Sequence, residues 1–188
     1  MVRKFAGLVM LWGAAVVLSG CMPKMTLEQM KAEMPKRPAE LDRLDPFVGK
    51  WQMEGEGRFE MLDEPIKMTG TFEYKWEGDK WYLVSRGVMK MDDFPETEGL
   101  EAWMYDMHAK KYRSTYVDSM GMLGVSEGRY DEKTNTWKMD ATSYSAWGKS
   151  HAKGTLRFID KDTMDWKMTE CMGLMKIMEM TGTAKRVK

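Results

Sequence analysis

From Gly49 to the C-terminal residues, apolar and polar side chains alternate one for one, and turn residues break the alternation at short, regular intervals. Phe72, Tyr74 and Trp76 share one parity, with Thr71, Glu73 and Lys75 on the other. Trp137, Met139 and Ala141 alternate with Lys138, Asp140 and Thr142. Met164, Trp166 and Met168 alternate with Asp165, Lys167 and Thr169. Turn signals stand at Glu77-Gly78-Asp79, Asp93 to Gly99, His108 to Lys111, Asp131 to Asn135, Ala146 to Lys149, Asp160 to Asp162 and Gly173. A period of two puts successive side chains on opposite faces, so each run is a strand with one wet and one dry face. Connections this short join antiparallel neighbours. The pattern gives about ten strands and no long helix among them. An open meander leaves two unpaired edges, and closure into a barrel removes both. The expected fold is therefore all-β: a single antiparallel up-and-down β-barrel over residues 47–188.

The chain ahead of the barrel has two parts. Residues 21–46 read as a spacer, mostly polar and interrupted by Pro23, Pro35 and Pro38. Thr26 with Gln29 makes a capping box, which predicts a short helix running to Met34. Leu41, Leu44 and Phe47 have the look of buried residues, and a helical turn ending at Pro46 delivers the chain into the first strand. Residues 1–20 have a basic start, Arg3 and Lys4, then an apolar run from Leu8 to Leu18 broken only by Gly13. That is the layout of a secretory signal peptide. The run is shorter than the roughly 18–20 residues a spanning helix needs.

The signal ends in Leu18-Ser19-Gly20-Cys21, which resembles the lipobox of bacterial lipoproteins. The resemblance implies cleavage before Cys21 and lipid attachment to its thiol and new amino group. Several acyl chains at about 0.8 kcal/mol per buried methylene make such an anchor stable. Met22 stands where inner-membrane retention usually needs Asp. The implied destination is the outer membrane, with the barrel facing the periplasm.

Cleavage leaves 168 residues, enough for one domain. Losing Arg3 and Lys4 leaves 27 basic against 29 acidic residues, so the basic surplus that nucleic acid demands is absent. With Cys21 lipidated, Cys171 is the only free thiol and no intrachain disulfide can form. Twenty-two methionines, with eight Trp, seven Tyr and six Phe, promise a polarizable core of adaptable shape.

Gly49-Lys50-Trp51 opens the first strand after Leu44-Asp45-Pro46-Phe47-Val48, and Arg186 stands on the last. This resembles the calycins (lipocalins, fatty-acid-binding proteins and relatives), which carry Gly-x-Trp on the first strand and a basic residue on the last. The resemblance implies that Gly49 lets the chain pass close under the barrel, that Trp51 plugs its closed end, and that Arg186 lies across the indole. Such a cation–π contact is worth roughly 0.5–2 kcal/mol. Met178, Met180, Gly182 and Ala184 share a face with Arg186. More narrowly, Leu41 to Arg186 is similar to the bacterial domain-of-unknown-function family 1579, which is calycin-like. The matching stretches are Leu44 to Trp51, Tyr105-Asp106 with Tyr112 to Gly121, and Ser126-Glu127-Gly128. Met104 stands where that family usually has Gly. The family implies a fold and no particular activity.

No catalytic grouping stands out, and neither an enzyme nor a bound cofactor is expected. His108 falls in a turn, and His151 falls on the polar face opposite Ala152, Gly154, Leu156 and Phe158. Metal-ligand spacing of Cys and His is missing. Gly121-Met122-Leu123-Gly124 is too short for a phosphate loop. Ser143 and Ser145 have no base nearby in sequence. Cys171, Met172 and Met175 are soft ligands that suit Cu(I), but spacing three along a strand separates faces, and core packing is the plainer reading. The nitrobindins, related barrels, hold haem through a histidine, yet both histidines here fall outside.

A ligand would be met on the inner face. By alternation that face includes Met53, Phe72, Tyr74, Met139, Phe158, Met168 and Met180, with Glu170 continuing the Met164–Met168 parity. An inward carboxylate needs a partner, and Arg86 or Arg113 could supply it. The expected function is non-catalytic binding or carrying of a small apolar or amphipathic molecule. The alternatives are a filled barrel acting as a scaffold for a protein partner, or an enzyme assembled from Tyr74, Arg86 and Glu170.

Overall fold

The structure, a computed structural model, describes residues 24–188. The expected signal peptide, Cys21 and Met22 lie outside the described residues. The chain divides into a unit ending at Lys36 and a second unit, Arg37–Lys188. In the first, α1 (Leu27–Ala32) begins at a capping box. The Gln29 amide donates to Thr26 Oγ1 (3.2 Å), and the Thr26 amide donates to Gln29 Oε1 (2.8 Å). It stops short of Met34, because a residue preceding proline is driven out of the helical region.

The second unit is a closed ring of ten antiparallel strands, each paired to the next and the last to the first. They are β1 (Gly49–Phe59), β2 (Ile66–Glu77), β3 (Tyr82–Met91), β4 (Thr97–Asp106), β5 (Lys111–Asp118), β6 (Leu123–Asp131), β7 (Thr136–Ser145), β8 (Gly148–Asp160), β9 (Thr163–Met172) and β10 (Met175–Arg186). The ring closes with Trp51 opposite Arg186. Alternation sets the two faces. On β1, Lys50, Gln52, Glu54, Glu56 and Arg58 are exposed, while Trp51, Met53 and Gly57 are buried. Membrane-spanning barrels show the reverse, with an apolar outer band. Among the described residues no helix is long and apolar enough to cross a membrane.

The compact unit begins at Arg37, earlier than the boundary expected at Phe47. The reason is a 3-10 helix, Ala39–Phe47, whose Leu41, Leu44 and Phe47 bury themselves in the end of the barrel. It forms a plug. Phe47 packs on Tyr74, Trp103, Trp137 and Phe158 with ring centroids 5.0–6.1 Å apart. The wall meets the plug's polar atoms in turn. Trp51 Nε1 donates to the Phe47 carbonyl (2.7 Å), Trp76 Nε1 to Asp45 Oδ1 (2.7 Å), and the Tyr112 hydroxyl to the Glu40 carbonyl (2.7 Å). All sheet ladders and this core lie within residues 37–188, so the barrel carries what it needs to fold alone.

Arg186 locks the plug. Its guanidinium carbon lies 4.3 Å from the Trp51 ring centroid. Its nitrogens donate to Asp162 Oδ1 (3.1 Å) and to the carbonyls of Pro46 (2.7 Å), Lys161 (3.0 Å) and Val48. Gly49 sits at φ +125°, and a Cβ there would come within 2.7 Å of that guanidinium. Glycine is thus required both for the backbone angle and for the space.

Candidate functional site

The strands run from the plugged end to a mouth formed by the loops at residues 60–65, 92–96, 119–122, 146–147 and 173–174. Inward at the plug, Trp51, Leu83, Trp103, Tyr112, Trp137 and Met164 are buried, with Trp76, Tyr105, Tyr130 and Leu156 partly buried against them. Above the plug, Phe72, Tyr74, Glu101, Tyr116, Ser126, Met139, Met168 and Met180 keep partial exposure, while Met68, Thr97, Ser150, Ala152 and Glu170, nearer the mouth, are buried. In a closed ring an inward side chain can be exposed only to the interior or through the mouth. The space enclosed above the plug is the lumen, lined at mid-height by partly exposed side chains and towards the mouth by buried ones.

Glycines keep that lumen open. A Cβ on Gly87 would come within 2.3 Å of the Phe72 ring, and one on Gly99 within 2.9 Å of Tyr116. Cβ atoms on Gly55 and Gly182 would meet the Trp166 indole at 2.9 and 2.7 Å, and one on Gly128 the Met139 sulfur at 2.5 Å. Each bulky group thus lies flat along the wall over a neighbour with no side chain, instead of reaching into the centre.

One side of the lumen is polar. Tyr74, Ser85, Glu101 and Tyr116 are successive cross-strand partners on β2 to β5. One step nearer the plug, Ser114 and Ser126 stand opposite each other on β5 and β6. The Ser114 hydroxyl donates to Glu101 Oε1 at 2.6 Å and lies 2.6 Å from Ser126 Oγ. Glu101 retains a little exposure to the lumen, yet so many protein atoms surround it that burial pushes its carboxyl pKa up. The hydrogen bond from Ser114 pulls the other way. Burial likewise raises the Tyr74 and Tyr116 phenols, so both stay protonated. Across the ring, on β9, Glu170 accepts from the Ser150 hydroxyl. β4 and β9 stand five places apart in the ring of ten, so the two carboxyls occupy opposite walls. Among the described residues neither has a cationic partner. Among the described residues three buried donors on the inner face also lack acceptors: Trp103 Nε1 at the floor, Trp166 Nε1 on the wall and Thr97 Oγ1 towards the mouth.

The structure separates the residues expected on the inner face into three groups. Phe72, Tyr74, Met139, Met168, Glu170 and Met180 point into the lumen. Met53 and Phe158 point inward but belong to the core at the plug. Arg86 does not line the lumen, which corrects the expectation. It is exposed on the outer face and pairs with Glu77 (2.7 Å). Leu83, Val84 and Ser85 are all buried, so β3 offers no alternation from which to read its parity. Arg113 is also outside, paired with Asp106 (2.8 Å) and Glu127 (3.6 Å). Tyr74, Arg86 and Glu170 are therefore not brought together. Met172 and Met175 are cross-strand partners, but Cys171 falls on the opposite face from Met172. His108 lies in an exposed turn and His151 on the outer wall, 3.1 Å from Thr142 Oγ1, so neither reaches the lumen. Glu101 escaped the sequence reading. Counting back in twos from Trp103 would have found it, with Thr97 and Gly99 on the same parity.

Solved structures similar to the barrel include two of TM-score above 0.5. The barrel matches the crystal structure of Rv2717c from M. tuberculosis at a TM-score of 0.63 and 12% identity, over 81% of this chain and 100% of that one. It matches the S-type phycobiliprotein lyase CPES from Guillardia theta at 0.57 and 10% identity, over 87% and 99%. At these identities the likeness concerns the fold. No curated protein matches the chain. The profile of one family covers residues 37–186, from the first residue of the barrel unit to the arginine that locks its plug. The chain belongs to that family, the proteins of unknown function DUF1579.

Proposed function

We propose that the barrel binds a small amphipathic molecule in its lumen and performs no chemistry on it. We further propose that lipid on Cys21 holds it in the bacterial envelope, at the outer membrane facing the periplasm. The observation that carries the binding reading is the loosely covered inner face at mid-barrel, where partly exposed methionines and flattened aromatic rings meet one hydroxyl-rich wall. An apolar cavity with a few convergent polar groups is the usual form of a small-molecule site. The chemistry of the wall narrows the ligand. Two carboxyls on opposite sides, with no cation facing them, repel a carboxylate headgroup and welcome a donor. The polar end of the ligand is an amine or a hydroxyl, and not a fatty acid. Among the described residues no imidazole or thiol faces the lumen above the plug.

The first experiment is native mass spectrometry of the chain from residue 22, purified gently from its host. An extra mass that leaves on denaturation is expected. Dodecylamine, dodecanol and dodecanoic acid are then offered as probes. The amine should bind most tightly and lose about tenfold in Glu101→Gln, the scale of one charge-assisted hydrogen bond. Best binding by the acid would overturn the headgroup assignment. A bare polypeptide mass with no uptake of any probe would overturn the ligand reading and favour a scaffold.

A further inference from the structure

The two ends of the barrel have opposite loop chemistry. Turns at the plugged end are mainly charged, with Asp79 and Lys80, His108 and Lys110, Glu132 and Lys133, and Lys161 and Asp162, and Met107 is their one large exposed apolar side chain. Each of the five mouth loops instead holds a large apolar residue: Met61, Phe94, Met120, Trp147 and Leu174, with Met175 beside the last. They are not tucked in. Leu174 is 104% exposed, Met61 87%, Trp147 70% and Met175 69%. Water-facing turns of this length favour Gly, Asn, Asp and Ser.

The rim is also divided around its circumference. The first two loops carry Glu60, Asp63 and Glu64, and Asp92, Asp93 and Glu96. The other three, residues 119–122, 146–147 and 173–174, carry no charge at all. These three join β5 to β10, which run side by side, so the uncharged half is continuous. It extends onto the outer wall, where exposed Val117, Leu123 and Tyr144 stand directly opposite one another on β5, β6 and β7. Lys149 lies 5.9 Å from the Tyr144 ring, at the edge of the patch.

We infer that this uncharged half of the mouth rim is a lipid-docking surface, which seats the barrel obliquely on a bilayer with Trp147, Leu174 and Met120 among the headgroups. Trp and Tyr with a flanking Lys are the residues that settle at a membrane interface. The acidic half would be held off an anionic surface, which sets the tilt. A protein partner requires close-packed, complementary contact. Separate tips on hairpin loops of two to four residues suit a fluid surface that closes around each of them. The inference does not depend on what the lumen holds.

The test uses the chain from residue 22, which lacks the lipidation site. It should cosediment with phosphatidylcholine vesicles. Trp147→Ser with Leu174→Ser should weaken binding at least about tenfold, the scale of one lost apolar anchor. Met120→Ser with Met175→Ser, at separate positions, should act in the same direction. All four side chains are exposed, so the melting temperature should hold in both variants. Protein left in the supernatant overturns the inference, and so does binding that the substitutions leave unchanged. Self-association abolished by the same substitutions, without vesicle binding, assigns the rim to a second copy of the chain instead. Uptake of dodecylamine, measured in parallel, separates failure of docking from failure of the lumen.

Discussion

At the scale of single residues, Glu101 is the group whose environment departs furthest from what its strand suggests. It faces inward between Tyr74 and Tyr116, whose phenols stay protonated, and rests on the Ser114–Ser126 hydroxyl pair. Glu170 looks at it from across the lumen, held by Ser150. Burial raises the pKa of Glu101 above its unfolded value. Over the window between the two, the folded protein holds a proton that the unfolded chain has released. Stability should therefore fall as pH rises from the ordinary carboxylate range through the raised value, and level off above it. Glu101→Gln keeps an acceptor for Ser114 and removes the titration. Its stability relative to the parent, followed by urea unfolding from acid to neutral pH, should grow as pH rises. A difference that stays flat would mean that the carboxyl titrates normally. The sequence disguised this residue. Gly-Leu-Glu-Ala-Trp places Leu100 outward and Glu101 inward, against the rule that the apolar member faces the core.

At the scale of elements, the 3-10 plug decides which part of the barrel is core and which is lumen. Phe47 is 2% exposed and touches four aromatic rings of the wall. Phe47→Ala should cost about 3–5 kcal/mol, read from chemical denaturation, because the rigid rings around it cannot collapse into the space. A loss below 1 kcal/mol would show that the plug is a loose cover. The strands were legible because amphipathic pairs such as Trp137/Lys138 and Met164/Asp165 fix both period and phase. The phase of β3 was not, since three consecutive buried residues leave it unmarked. The plug was half legible. Leu41, Leu44 and Phe47 announced burial, but nothing local says that the segment closes a barrel instead of leading up to one. The lumen was less legible still. It depends on which glycine on one strand lies beside which ring on the next, and such pairings exist only after the register is set.

At the scale of the whole molecule, the outcome turns on where the chain joins the barrel. Arg37 Nε donates to the Lys80 carbonyl (2.6 Å), so the spacer enters at the plugged end, away from the mouth. With α1 helical, the covalent path from Cys21 to Arg37 reaches about 40 Å. An eleven-residue strand tilted as in small barrels stands about 28 Å tall. The proposed anchor and the proposed docking rim can therefore share one bilayer. Their strengths differ in kind. One acyl chain alone holds a protein only marginally, and two or more hold it stably. A few loop tips at roughly 1.5–3 kcal/mol each, less the cost of immobilising the barrel, give a contact that exchanges freely. Cys21→Ser should therefore move the protein out of the membrane fraction on washing, while the parent stays. Trp147→Ser with Leu174→Ser should leave the parent anchored and strip the residual association from the Cys21→Ser protein. Cell fractionation with washes reads all four combinations, and a lipid mass on the parent identifies the anchor directly. Were the Cys21→Ser protein to resist washing as the parent does, attachment would reside in the barrel, and the lipobox reading would fall.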